Sequence, residues 1–288
     1  MTIAEVINRV LDYHPTLPNN KGCDDYKCGN PNDECTGIVT ALTPNIAVIR
    51  RAIELGANLI FVHEPTFYTS EDGPGWFEGF PNSVYEEKRR LLDEHGITVW
   101  RDHDHMHFHN PDSIFTGVLK YLGWEACAET KKSDSSFFSH FLVTLPQAVT
   151  LGQLCDHLME RIGMNGVRFI GDAESPIRRV ALVGHLYPMP APAPEGGRPV
   201  EYSVQIIREL EEGFDAIIPG ETIDWTVLSY VRDASLLGRN KAMISLGHFN
   251  WEELGMKYAR DWLRELVGEA LPVEYVPSGD MYQHRLRQ

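Results

Sequence analysis

The chain has 288 residues, 43% of them apolar and 23% charged, enough for one large α/β domain or two smaller lobes with ample core. Its net charge of −15 argues against a nucleic-acid backbone as partner, and the basic run Lys88, Arg89, Arg90 is interleaved with Glu86, Glu87 and Asp93. Five cysteines do not make a secreted disulfide framework, no apolar run approaches transmembrane length, and residues 1–10 lack an apolar signal core. A reduced, cytoplasmic compartment is therefore expected.

Thr2 to Tyr13 carries Ile3, Val6, Ile7, Val10 and Leu11 at helical spacing, with Thr2 as N-cap. Pro15 to Glu34 reads as loop, rich in Pro, Asn, Asp and Gly. Cys23, Cys28 and Cys35 are spaced more widely than the usual zinc pairs, so thiols here are expected to pack as small apolar groups. From Thr36 the chain alternates. Strands are predicted at 37–42, 59–62 and 97–100, and helices at 44–55, 82–94 and 113–122, two of them stopped at Gly56 and Gly96.

The second half repeats these element types without a sequence repeat. Strands are predicted at 137–145, 179–183, 216–218, 242–246 and 273–276, and helices at 151–162, 200–212, 222–234 and 251–267. Residues 187–199 contain five prolines and read as a stiff extended loop, a candidate lid. The strand–helix alternation implies mostly parallel pairing with helices covering the sheet.

Arg101 to His109, R-D-H-D-H-M-H-F-H, places His103, His105, His107 and His109 within seven residues. Extended, all four share one face; in a helical turn His103 and His107 share a face. Neutral imidazole is a common metal ligand, although a solvated His-rich loop would look the same in isolation. Three other segments change that balance. His63 and Glu64 follow one predicted strand, His248 follows another with Glu252 four residues on, and Glu221 follows a third. Ligands of open α/β sheets bind outside the carboxyl ends of strands, which is where all these residues fall. Each has a bland alternative: His63 capping a strand, His248 bonding a carbonyl, Glu221 or Glu252 at a helix N-terminus. Together they point to a metal site. Pro65 holds Glu64 extended, and carboxylates can bridge two divalent ions.

Four segments then carry a family resemblance: T-G-I-V-T-A-L at 36–42, I-E-L-G-A-N-L-I-F-V-H-E-P at 53–65, V-W-R-D-H-D-H-M-H at 99–107 and G-H-F-N-W-E at 247–252. The chain resembles the Nif-three-like family of dinuclear metal proteins, some members of which bear the name GTP cyclohydrolase I type 2. The commoner family pattern has His-His-Pro where this chain has His63-Glu64-Pro65, and His-x-x-x-Asp where it has His103 and His107. His248 and Glu252 match the family's Gly-His-x-x-x-Glu directly. The two departures compensate, keeping three histidines and two carboxylates as His63, His107, His248, Glu64 and Glu252.

The resemblance implies two α/β lobes with largely parallel sheets, residues 1–130 and 131–288, the site at strand carboxyl ends between them, and a hexameric ring. It implies two divalent metal ions per chain, and the imidazole-rich set favours zinc, manganese or iron over magnesium. The expected activity is metal-dependent hydrolysis of a small phosphoester, nucleotide or cyclic amide-type substrate by a metal-bridging water, with His103 as proton shuttle and Glu221 as orienting carboxylate. The alternative is a non-catalytic protein that carries metal or serves as a regulatory scaffold.

Overall fold

The structure is a computed structural model and describes every residue except 19–21, 71, 73–78, 132–139, 192–199 and 286–288. Contacts divide the chain into two units, Met1–Val118 with Glu252–Ser278 and Leu119–Trp251 with Gly279–Gln288, whereas the sequence reading set one boundary between 130 and 131.

The first unit opens with α1 (Ile3–Tyr13), whose N-terminus is a capping box: the Thr2 hydroxyl accepts from Glu5 N–H and the Glu5 carboxylate from Thr2 N–H. Its sheet contains β1 (Asp25–Cys28), β2 (Ile38–Ala41), β3 (Leu59–Val62), β4 (Thr98–Arg101) and β13 (Val273–Tyr275) in the order β1-β4-β3-β2-β13. All neighbours pair parallel except the edge strand β1. That strand lies inside the expected loop 15–34. Asp25, Tyr26 and Lys27 offer no apolar alternation, and pairing with Trp100 and Arg101 makes the strand instead.

Period-two alternation sorts the side chains between the faces of this sheet. Val39, Ala41, Ile60, Val62 and Val99 join one core with Val48, Ile49 and Ala52 of α2 (Ile46–Leu55) and Leu92 of α3 (Ser83–Glu94). From the alternate positions, Phe61 meets Trp262 of α9 (His248–Val267), and Trp262 stacks on Tyr13 of α1 with ring centroids 5.0 Å apart. The histidine-rich stretch forms α4 (Asp104–Phe108) and is followed by α5 (Ser113–Leu122). Helices α5 and α9 cross at Gly117 and Gly255, so closely that a Cβ on Gly117 would lie 2.9 Å from the Gly255 Cα.

The second unit holds β5 (Ala128–Lys131), β6 (His140–Thr150), β7 (Arg168–Ile170), β8 (Pro176–Val183), β11 (Ala216–Pro219) and β12 (Ala242–Ser245), ordered β5-β6-β8-β11-β12-β7. The neighbours β8-β11-β12 are parallel, and antiparallel strands extend the sheet on both flanks. Parallel pairing thus describes the first sheet apart from its β1 edge, and the centre of the second. Strands β5 and β7 were not expected, and β6 runs on to Thr150, which caps α6 (Leu151–Ile162). Positions 137–139 of that expected strand lie outside the described residues. A second, two-stranded pairing joins β9 (Pro190–Ala191) to β10 (Val200–Glu201).

Pairing with β9 delays the helix expected from 200, so α7 spans Tyr202–Glu211. The helix expected at 222–234 starts as a π-type turn, Asp224–Leu228, with a non-helical Thr226, before α8 (Ser229–Leu236). The last helix starts at His248 rather than 251. Most of the candidate lid, 192–199, lies outside the described residues. No helix among the described residues is long and apolar enough to cross a membrane.

Candidate metal centre

Parallel register between β3 and β4 pairs Val62 with Arg101, so His63 and Asp102 leave the two strands side by side. His63 and Glu64 both donate their backbone N–H to Leu42 O, and Asp102 N–H donates to Val62 O, so the turn continues the sheet. The His63 Nδ1–H donates to the Asp102 carbonyl oxygen at 3.0 Å. A carbonyl only accepts, so this bond places the proton on Nδ1 and leaves a lone pair on Nε2. Arg101, buried beside them, donates from Nε to His63 O, and its Nη2 lies 3.8 Å from Glu64 Oε2.

Because residues 104–108 are helical, the four clustered histidines divide into i, i+4 pairs. His103 and His107 turn to His63; its ring stacks on His103 at 4.5 Å and meets His107 edge-on at 4.8 Å. His105 and His109 face elsewhere, toward Asp24 and His14 respectively. His107 Nδ1 donates to Asp112 Oδ2 at 2.8 Å, so its Nε2 also points into the site. The two Nε2 atoms are 3.2 Å apart. Glu252 Oε2 lies 3.6 Å from the first and Oε1 3.7 Å from the second.

Burial and the neighbouring His103 push the His63 pKa well down. Burial also works to lower His107, but Asp112, Glu252 and Glu64 outweigh it and raise His107 to about 9. At neutral pH His107 therefore holds a proton on Nε2 and donates it toward His63. A cation placed among these donors would take that proton's role. Ligand atoms of His63, His103 and His107 lie within 4.8 Å of one another, as do those of His63, Glu64 and Glu252. The two groups share His63, and their imidazole and carboxylate donors fit a pair of divalent ions.

Residues of the second unit form their own cluster at the carboxyl ends of β8, β11 and β12. Glu221 N–H donates to His185 Nδ1 at 2.9 Å, Glu221 Oε1 accepts from His248 Nδ1 at 3.2 Å, and the rings of His185 and His248 are 4.6 Å apart. A Cβ on Gly220 would lie 2.5 Å from His185 Nδ1, so a glycine is required there. His185 escaped the sequence reading. Its signal was available: Gly184-His185 leaves a strand as Gly247-His248 does. Asp112, Asp24 and His14 were missed as well, and only their contacts reveal them.

The Duf34/NIF3 (NGG1p interacting factor 3) family matches residues 3–185. A GTP cyclohydrolase 1 type 2 homolog of Clostridium acetobutylicum is 23% identical over 256 residues, covering 88% of this chain and 85% of the relative. Among solved structures, a Bacillus cereus protein related to NIF3 superposes with a TM-score of 0.68 at 14% identity, covering 99% of both chains. Reduced HcgD from Methanocaldococcus jannaschii gives 0.61 at 15% identity, over 96% of this chain and 97% of that one. These likenesses are of fold. With the family matching well over half its length, the chain belongs to the Duf34/NIF3 family.

Proposed function

We propose that this protein is a metal-dependent hydrolase with a dinuclear centre, acting on a small phosphoester, nucleotide or cyclic amide-type substrate. One observation carries the reading: two imidazole nitrogens, that of buried His63 and that of part-buried His107, each with its other nitrogen already engaged, converge to 3.2 Å beside both oxygens of Glu252. His63, Glu64, His107 and Glu252 are the proposed ligands, and His248 is added because it matches the family's Gly-His-x-x-x-Glu pattern. Two divalent ions held there would supply Lewis acidity and lower the pKa of water toward neutrality. Zinc, manganese or iron suits these donors better than magnesium.

The chain's own groups have separable tasks. Asp102 O and Asp112 fix the tautomers and orientation of His63 and His107. His103 pairs through Nδ1 with Asp104 Oδ1 at 2.8 Å, and its side chain is 30% exposed, so Nε2 is placed to pass a proton between site and solvent. Glu221 orients His248 by accepting from its Nδ1. The nucleotide class is favoured by the cyclohydrolase name of the relatives. A homohexameric, cytoplasmic protein is the accompanying proposal, and the five free cysteines suit a reduced compartment.

Elemental analysis of tag-free protein tests the centre first, followed by a hydrolysis screen over phosphoesters and nucleotides. At least two transition-metal equivalents together with turnover support the proposal. The same metal content without turnover would leave a metal carrier or scaffold, and no metal after reconstitution would overturn the centre itself.

A further inference from the structure

The other histidine pair of α4 belongs to a second cluster in the first unit. Asp102 is fully buried, and neither carboxylate oxygen has a hydrogen-bond partner. Its main-chain oxygen serves His63, but its side chain points to a different set of groups. His14, the residue that closes α1, brings Nε2 to 3.5 Å from Asp102 Oδ2, and that nitrogen too is buried without a hydrogen bond. Ligand atoms of Asp24, Asp102 and His105 lie within 4.8 Å of one another.

Asp24 is held firmly. Its Oδ1 accepts from His103 and Asp104 N–H, and its Oδ2 from His105 N–H and His105 Nδ1. This carboxylate anchors α4 and is preorganised next to Asp102. The two carboxylates repel each other, and Asp102, fully buried, faces the His14 nitrogen at 3.5 Å rather than solvent. A cation would offset that repulsion, and the flanking imidazoles supply the nitrogen donors that zinc-like ions take alongside carboxylates.

We propose that Asp24, Asp102 and His105, with His14 as fourth donor, form a second divalent-cation site that takes a single transition-metal ion such as zinc. It uses none of the ligands proposed for the dinuclear centre. It is joined to that centre through Asp102, whose carbonyl positions His63 while its carboxylate ligates the additional ion. The four contributing segments are α1, the approach to β1, the end of β4, and α4, so an ion there would tie together elements distant in sequence.

The test is Co2+ titration of the intact chain, read by visible absorption and elemental analysis, with near-UV circular dichroism as the check on folding. In His63→Ala/Glu252→Gln, which disables the dinuclear centre, one equivalent should still bind. Adding His105→Gln to that background should weaken its binding at least tenfold, and Asp102→Asn should do the same. The double variant taking up no Co2+ would overturn the second site, as would His105→Gln and Asp102→Asn binding as tightly as their parent. Should the Asp102 variant fail to fold, the part-exposed His105 variant decides alone. Failure of the dinuclear reading looks different: wild type and His63→Ala/Glu252→Gln would then bind equal amounts of metal.

Discussion

His63 Nε2 and His107 Nε2 face each other at 3.2 Å, and each ring's Nδ1 is already bonded, one to the Asp102 carbonyl and the other to the Asp112 carboxylate. Two lone pairs cannot share that gap, so it must hold a proton or a cation. Asp112 controls which ring nitrogen of His107 is presented, and it makes that nitrogen a stronger donor. Asp112→Asn should therefore weaken zinc binding about 10–100-fold with the fold unchanged, the range found for partners of metal-bound histidines. Competition against a chromophoric chelator measures it. Unchanged affinity would show that Asp112 serves only to cap α5, through its bond from Phe115 N–H.

His107→Ala and Glu252→Ala should each lose at least one metal equivalent, because each removes a donor directed at the shared gap. Elemental analysis of both purified variants checks this, and wild-type content in both would sink the ligand assignment.

His103→Ala should behave differently. Its ring stacks on His63 and is engaged by Asp104, so the variant should keep most of its metal while turnover falls about 10²–10⁴-fold, as when a proton-transfer group is removed. Full activity would remove His103 from proton transfer. Loss of metal together with activity would make it a ligand.

These residues show what was legible in the sequence. β3 and β4 stood out because short apolar runs end abruptly at His63 and Arg101, and parallel pairing then placed their ends together. The histidine run was ambiguous, since residues spaced by two satisfy an extended period and also contain i, i+4 pairs. Helix formation at 104–108 resolved it, sending the histidines to two different clusters. Residues that fix tautomers stayed hidden for another reason. Asp24 lies 81 positions before His105, in a stretch whose polarity looked like loop, and only tertiary contact joins them. β1 was lost in the same way, as an edge strand takes its stability from its neighbour rather than from its own pattern.

The crossing of α5 and α9 depends on two glycines. A Cβ on Gly117 would sit 2.5 Å from Tyr258 Cβ and 2.9 Å from Leu254 O, and one on Gly255 would sit 2.8 Å from Ile114 Cα. Backbone atoms cannot swing aside as a side chain can. Gly117→Ala and Gly255→Ala should each destabilise by about 1–3 kcal/mol, the overpacking cost exceeding the gain in helix propensity of up to about 1 kcal/mol. Denaturant unfolding checks this, and a higher midpoint in either variant would mean that the helices separate freely.

Lys88 sets a pH dependence apart from the metal centre. It is buried on α3 and donates from Nζ to Thr66 O, beside Asp72, whose carboxylate accepts from Thr66 and Phe67 N–H. Burial lowers the Lys88 pKa to about 8, although Asp72 works to raise it. Between pH 8 and 10.5 the unfolded chain holds this proton and the folded chain does not, so this contribution to stability rises with pH. It is complete above the unfolded value and lost as pH falls through 8. Buried Cys28, pushed up to about 11, has the opposite slope, so the comparison must be against Lys88→Met, in which that thiol remains. The stability of wild type relative to Lys88→Met should climb by up to about 3 kcal/mol from pH 7.5 to 10.5, as a shift of 2–3 pKa units implies. Urea titrations across that range measure it. A flat difference would mean that water reaches the Lys88 ammonium in the folded protein.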